Sequence, residues 1–229
     1  MKIQGLQKMT LLDFPGRVAC TVFLGGCDFR CPFCHNGELL DGTAPALLDD
    51  QALLRFLKDR QGLLDGVAIT GGEPLLRKDL PDLLRAVREL GFAVKADTNG
   101  NHPEALERLL TEGLVDYVAM DIKNSPEKYA LTVGLESIDL APIRRSVRLL
   151  MDGDTPYEFR TTVVDQLHKA EDFEVIGQWI AGAKAYFLQP FTDRDAVPFA
   201  GLCAPSKEDL DKYASIARVY VPYTTIRGA

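Results

Sequence analysis

The chain lacks any apolar run approaching the roughly 18 residues needed to cross a bilayer, and its N-terminus lacks the apolar core of a secretory signal. It also lacks an excess of positive charge. The 26 Lys and Arg residues against 33 Asp and Glu give a net charge of −7, and no local basic patch offsets it. A phosphate backbone is repelled on average, so neither nucleic acid nor a membrane is an expected partner. No linker rich in Gly, Ser or Pro, no internal repeat and no low-complexity segment divides the sequence. With 229 residues, 46% hydrophobic and 26% charged, residues 1–229 are expected to form a single soluble domain with a substantial core. Five cysteines are an odd number, which argues against a disulfide framework. The expected location is cytoplasmic, where thiols stay reduced.

Three of those cysteines stand together in Cys27-Asp28-Phe29-Arg30-Cys31-Pro32-Phe33-Cys34, directly after the apolar segment Val18–Leu24 and two glycines. Three soft ligands on one short loop can hold a metal centre and leave one coordination position open for chemistry, whereas structural sites usually close with four. Zinc would need a fourth ligand. The nearest candidate is His35, whose adjacency to Cys34 makes joint ligation awkward. A 4Fe-4S cluster fits better, because thiolates are its normal ligands and three of them leave one iron without a protein partner.

Strand-like and helix-like segments alternate from Val18 onward. Strands are expected at Val18–Leu24, Gly66–Thr70, Phe92–Ala96, Val115–Met120, Tyr157–Val164 and Ala185–Leu188. Helices are expected at Leu47–Lys58, Leu80–Leu90, Pro103–Thr111, Ile138–Met151, Phe173–Ala181 and Ser206–Ala217, with Pro81 in a first turn, Gly91 as a stop and Ser206 as an N-cap. Six such repeats imply an α/β fold with a parallel sheet. A full eight-unit barrel takes about 250 residues, so a partial, laterally open (β/α)6 barrel is expected, with an open doubly wound sheet as the competing architecture.

The polar groups at the strand ends share one trend. The cysteine loop, Gly71-Gly72-Glu73-Pro74, Asp97-Thr98-Asn99-Gly100, Asp121 with Lys123, and Gln189 all follow the C-terminal ends of expected strands. In parallel α/β folds that edge binds ligands. Each group alone has a plain reading as a turn, a capped loop or a solvated strand end; their convergence on one rim points to a site.

Together, Cys27-x3-Cys31-x2-Cys34, with Phe33 before the third cysteine, and Gly71-Gly72-Glu73-Pro74 resemble the radical S-adenosylmethionine family. The resemblance implies that Cys27, Cys31 and Cys34 bind a 4Fe-4S cluster whose fourth iron holds the methionine end of S-adenosyl-L-methionine. In that family the reduced cluster cleaves the sulfonium and releases a 5′-deoxyadenosyl radical; the protein supplies position and exclusion of water. By the same resemblance Gly71 and Gly72 allow close backbone approach to the methionine ammonium. Glu73 either accepts from that ammonium or supports the strand end. Phe33 lies near the adenine or belongs to the core.

A narrower resemblance covers nearly the whole chain. Thr10-Leu11-Leu12-Asp13-Phe14-Pro15-Gly16, Phe23-Leu24-Gly25-Gly26-Cys27 and Cys34-His35-Asn36 look like the activating enzymes of glycyl-radical proteins. The likeness runs first to activators of anaerobic ribonucleoside-triphosphate reductase, then to those of pyruvate formate-lyase. Such an enzyme removes hydrogen from the Cα of one glycine in a partner glycyl-radical enzyme, and takes its electron from a donor such as flavodoxin or ferredoxin. Asp97, Thr98, Asp121 and Lys123 match positions that line the methionine end of the cofactor and can include a monovalent cation. Lys123 or Arg160 is the candidate partner of the cofactor carboxylate; Arg160 otherwise pairs with one of the aspartates. Gln189-Pro190-Phe191-Thr192 departs from the pyruvate formate-lyase activator, which has a histidine in that region.

Of the remaining reactive side chains, Cys20 is expected in the core, Cys203 in an exposed loop and His35 beside the cluster. His102 and His168 read as ordinary surface residues. No second cysteine cluster is present, which favours an activator of a protein substrate. The alternatives are a small-molecule radical enzyme, such as one forming a deazapurine ring, and an iron–sulfur electron carrier without catalysis.

Overall fold

The computed structural model describes residues 2–228. Its strands are β1 (Lys2–Thr10), β2 (Ala19–Leu24), β3 (Leu48–Asp49), β4 (Gly66–Gly71), β5 (Ala93–Thr98), β6 (Tyr117–Asp121), β7 (Tyr157–Val163), β8 (Tyr186–Pro190) and β9 (Thr224–Ile226). They form one sheet in the order β3-β1-β2-β4-β5-β6-β7-β8-β9, with β3 and β9 as unjoined edges. Every neighbouring pair from β2 to β9 is parallel, while β1 runs antiparallel to both β2 and β3. The helices are α1 (Asp50–Lys58), α2 (Leu80–Glu89), α3 (Pro103–Thr111), the single turn α4 (Tyr129–Thr132), α5 (Ala141–Asp152), α6 (Ala170–Trp179) and α7 (Lys207–Arg218). The result is the unclosed, mostly parallel α/β sheet expected of a partial barrel. Among the described residues no helix is long and apolar enough to cross a membrane.

The period-two alternation of the strands divides the sheet into an apolar face and a charged one. Val67, Ile69, Val94, Ala96, Val118, Met120 and Phe159 are fully buried and join Leu84, Val87, Leu106 and Phe173 of the helices in one cluster. Each fully buried Val, Leu, Ile or Phe contributes roughly 1.5–3 kcal/mol, so this layer is the main force holding the sheet. The opposite face of β5, β6 and β7 carries Lys95, Asp97, Asp121, Glu158 and Arg160. That burial of charge is tolerated because the groups pair with one another, as described below.

All six expected strands are present, and β9 extends the parallel run to seven. Neither β1 nor β9 was legible in the sequence. In β1 only Ile3 and Thr10 are buried, so there is no alternation to detect, and β9 has three residues. Helix α1 begins at Asp50 rather than Leu47, because Leu48 and Asp49 pair with Ile3 and Lys2 and Asp49 then caps the Ala52 amide at 2.8 Å. Helix α5 begins at Ala141 rather than Ile138; Asp139 accepts from the Ala141 amide at 2.9 Å and Pro142 occupies the first turn. The Ser206 cap of α7 forms as expected, its Oγ accepting from Asp209 N at 3.1 Å.

Candidate active site

Every site residue expected from the sequence borders a single cavity of about 210 Å³ at the C-terminal ends of the parallel strands. The three cysteines of the loop after β2 are unpaired thiols; Cys31 is 7% exposed, while Cys27 and Cys34 are partly buried. Burial pushes the Cys27 thiol up to about 12 and the Cys31 thiol to about 11, and raises Cys34 as well. Ligation requires these thiols to be ionised, and iron would supply the positive charge that offsets their burial. The Phe29 amide lies 3.4 Å from Cys27 Sγ, the kind of N–H···S contact that stabilises a cluster thiolate.

Polar contacts across the barrel mouth hold the loop in place. Asp28 accepts from Asn99 Nδ2 at 2.8 Å, from Asn101 Nδ2 at 2.6 Å and, at 3.0 Å, pairs with His102 Nε2. Burial opposes ionisation of Asp28, and these donors outweigh it, leaving its carboxyl at about 2. At the far end of the loop, Asn36 Nδ2 donates to the Gly71 carbonyl at 2.8 Å. His35 Nε2 meets the Thr192 carbonyl at 2.8 Å and its ring stacks on Phe191 at 5.7 Å. The segment Gln189–Thr192, where the sequence departs from the pyruvate formate-lyase activators, thus buttresses the cysteine loop and lends Gln189 to the cavity wall.

The two glycines at the end of β4 are required by the chain's own backbone. A Cβ on Gly71, whose φ is +124°, would lie 2.2 Å from the Leu24 carbonyl oxygen, and one on Gly72 would lie 2.1 Å from the Gly26 carbonyl oxygen. The Gly72 and Glu73 amides donate to those same carbonyls at 2.8 and 2.7 Å. The Glu73 side chain, 1% exposed, accepts from Leu75 N, Thr98 Oγ1 and Asn99 N at 3.0, 2.9 and 2.6 Å. Burial pushes Glu73 up against the pull of those three donors. In this geometry Glu73 clamps the ends of β4 and β5, the second of the two roles its position suggests. Phe33 is 4% exposed within the core cluster, and it also borders the cavity.

The cavity wall facing the cysteines is ionic. Arg160 Nε donates to Asp121 Oδ1 at 2.9 Å and Arg160 Nη1 to Asp97 Oδ2 at 3.3 Å; Lys123 Nζ donates to Asp121 Oδ2 at 2.8 Å. Lys95, 2% exposed, donates to Asp97 Oδ1. Burial raises the Asp121 carboxyl, but Arg160 and Lys123 more than reverse this and hold it at about 2. Asp97 is likewise lowered, by Arg160 and Lys95 against burial. Arg160 therefore bridges both aspartates. Arg160 also borders the cavity, so the pairing does not remove it from the site.

Several contributors were missed from the sequence. Lys95 sat inside an expected strand, where its alternation with Val94 and Ala96 was the only signal. His102 and His168 are not surface residues of the ordinary kind: His102 belongs to the Asp28 cluster, and His168 is fully buried. The His168 Nδ1 accepts from Val164 N at 3.1 Å and its Nε2 meets the Lys123 carbonyl at 2.9 Å, fixing the loop that presents Lys123. The motif Thr10–Gly16 does not reach the rim. Phe14, 2% exposed, packs against Gly66 and lies 6.3 Å from the Tyr117 ring, and Thr21 Oγ1 donates to Asp13 at 2.5 Å, so the motif closes the N-terminal end of the barrel.

Comparison with known proteins identifies the family. Residues 21–174 match the Radical SAM superfamily. A protein of Methanocaldococcus jannaschii whose name assigns it to the glycyl-radical enzyme activating enzymes is 32% identical, with 98% of this chain and 95% of that protein covered. The pyruvate formate-lyase-activating enzyme of Listeria monocytogenes is 30% identical over 71% of this chain and 68% of its own. Among solved structures, a domain of the pyruvate-formate lyase-activating enzyme of Bacteroides vulgatus superposes with a TM-score of 0.56 at 20% identity, covering 71% of this chain and 99% of that domain. Streptococcus suis SuiB bound to its precursor peptide SuiA superposes at 0.70 with 14% identity, over 91% of this chain and 48% of that one, a likeness of fold. The chain belongs to the radical S-adenosylmethionine superfamily. Within it, this is a radical enzyme of the glycyl-radical activating type.

The residues present fit the groups this family uses. Among the described residues no three His, Cys, Asp or Glu side chains converge on a single metal ion. Three thiols on one loop, each bordering the cavity, suit a cluster in which each meets a different iron.

Proposed function

We propose that the chain activates anaerobic ribonucleoside-triphosphate reductase by generating its glycyl radical. The observation that carries this reading is the cavity itself: three thiols on one wall, a paired set of aspartates and cations on the other, and an opening at the strand ends of an unclosed sheet. When bound, a 4Fe-4S cluster and S-adenosyl-L-methionine supply one-electron cleavage of a sulfonium and a radical able to take hydrogen from a glycine Cα. The protein's part is to hold, orient and dry that chemistry.

In this reading Cys27, Cys31 and Cys34 ligate three irons, and the Asp28 cluster keeps their loop closed over the strand ends. Arg160 and Lys123 offer cationic donors to the cofactor carboxylate, Arg160 in the forked geometry that matches a carboxylate. Asp97 and Asp121 keep those donors charged and aimed. Gly71 and Gly72 leave the β4 edge bare for the methionine ammonium, with Glu73 bracing the edge and Thr98 hydrogen-bonded to it. Phe33 supplies an apolar surface beside the adenine. Electrons come from a donor such as flavodoxin or ferredoxin in the cytoplasm.

The choice of reductase rests on Thr10–Gly16, Phe23–Cys27 and Cys34–Asn36, the segments whose likeness runs to activators of that enzyme. The test mixes anaerobically reconstituted, dithionite-reduced protein with S-adenosyl-L-methionine and either the reductase or pyruvate formate-lyase. A glycyl-radical doublet in electron paramagnetic resonance with the reductase is the expected outcome. A doublet with pyruvate formate-lyase alone would reassign the partner, and 5′-deoxyadenosine without a doublet on either would remove it.

A further inference from the structure

Asp97 and Asp121 offer four carboxylate oxygens to the cavity wall, and each one is already met by a cationic side chain of this chain. Lys95 takes Asp97 Oδ1, Arg160 takes Asp97 Oδ2 and Asp121 Oδ1, and Lys123 takes Asp121 Oδ2. These positions are the ones whose family resemblance carries the expectation of a bound monovalent cation. The geometry does not fit one. We propose that the Lys95 ammonium takes the place of an exogenous monovalent cation here, so that the site is assembled without potassium or sodium.

Charge balance supports this. Three cations against two carboxylates give the network a charge of +1, which an arriving carboxylate brings to zero and a metal cation raises to +2. The side chains are between 2% and 27% exposed, so the surplus would be poorly screened. Nor is Lys95 drawn elsewhere. The neighbouring buried carboxylate on the same face, Glu158, is taken by both Arg227 Nη atoms at 2.7 and 2.8 Å and by Tyr117 Oη at 3.0 Å. Lys95 does not border the cavity; it lies behind Asp97, fully enclosed. A tethered ammonium brings its charge to Asp97 without the entropy cost of capturing a free ion. Lys95 is thus a positioning residue: it acts on the cofactor only through Asp97 and Arg160.

The inference extends the proposed cofactor site and is independent of which protein is activated. Its test is direct cation binding to the reconstituted holoprotein in tetramethylammonium buffer, with thallium(I) as the potassium probe, read by equilibrium dialysis and 205Tl nuclear magnetic resonance, with and without S-adenosyl-L-methionine. Wild-type protein is expected to show no saturable site at millimolar thallium(I). Lys95→Met is expected to gain one site per chain, displaced by potassium, and Lys95→Arg none. A potassium-displaceable site in the wild type overturns the proposal, as does a Lys95→Met protein that folds and gains none. If Lys95→Met fails to fold, Lys95→Gln replaces it and the wild-type arm still decides. Cleavage of S-adenosyl-L-methionine, run in potassium and in tetramethylammonium, separates the two readings. Equal wild-type rates support the inference, whereas absence of cleavage in both buffers counts against the proposed function and leaves the thallium(I) result standing.

Discussion

Asp28, the residue after the first cysteine of the loop, pairs with His102 Nε2 at 3.0 Å across 74 positions of sequence. With Asn99 and Asn101 it forms a polar latch between the cysteine loop and the end of β5. Asp28 therefore helps to position the loop that carries the thiols.

Replacing Asp28 by Ala leaves three donors without their acceptor. At about 1–3 kcal/mol for an unsatisfied group, discounted for partial exposure, Asp28→Ala is expected to lose about 2 kcal/mol. It should also retain less iron than wild type after gel filtration. Denaturant unfolding and iron analysis check this, and unchanged values for both would show that the latch is incidental.

Gly72→Ala places a methyl carbon against the Gly26 carbonyl, a backbone atom that cannot rotate away. The junction of β2 and β4 must then shift, at an expected cost of about 2 kcal/mol or more, with loss of cluster retention. Gly113→Ala, where nothing lies within 4 Å but φ is +63°, serves as the control for backbone strain alone. It should cost about 1 kcal/mol and leave iron content unchanged.

Cys27→Ala, Cys31→Ala and Cys34→Ala are each expected to abolish 5′-deoxyadenosine formation. Cys203, exposed in its loop and in contact with Gln166 Nε2 at 3.1 Å, should tolerate Ser with activity within about twofold, because surface substitutions rarely move stability by more than about 0.5 kcal/mol. Chromatographic assay of 5′-deoxyadenosine separates the two groups, and activity in any of the first three variants would remove that cysteine from the site.

The buried His168 gives a pH signature. Burial lowers its pKa from 6.5, as its Nδ1 accepts the Val164 amide and it stays neutral when folded. The unfolded chain takes up a proton near pH 6.5 while the folded chain does not. The His168 contribution is therefore fully present above that pH and is lost as pH falls toward the folded value. Unfolding free energies measured from pH 8 to 5 should decline more steeply for wild type than for His168→Gln. Parallel curves would show that His168 titrates normally.

The sequence made six of the seven strands of the parallel run legible because their apolar stretches are bounded by turn residues and separated by helical patterns; β9, with three residues, is too short to show one. The rim was legible for the same reason: once the strands are located, Asp97, Asp121 and Gln189 must fall at one end of the sheet. By contrast, β1 was hidden, since an antiparallel strand with little burial has no apolar pattern. His102 and His168 were hidden as well: the Asp28 partner of His102 lies 74 residues away, and His168 meets backbone groups, which leave no mark in the sequence. Lys95 could be read as lying in a strand, but only packing could say that its ammonium ends on Asp97.

The sequence by itself determined the three-thiol loop, the glycine pair at the end of β4 and the alternation of strand and helix, because spacing and periodicity are properties of neighbouring residues. Tertiary structure alone decided what each charge is for. Arg160 bridges two aspartates, Glu73 clamps two strand ends, Asp28 latches the cysteine loop and Lys95 closes the ionic set from behind. Those assignments depend on which side chains the sheet register brings within hydrogen-bonding distance, and register is a property of strands tens of residues apart.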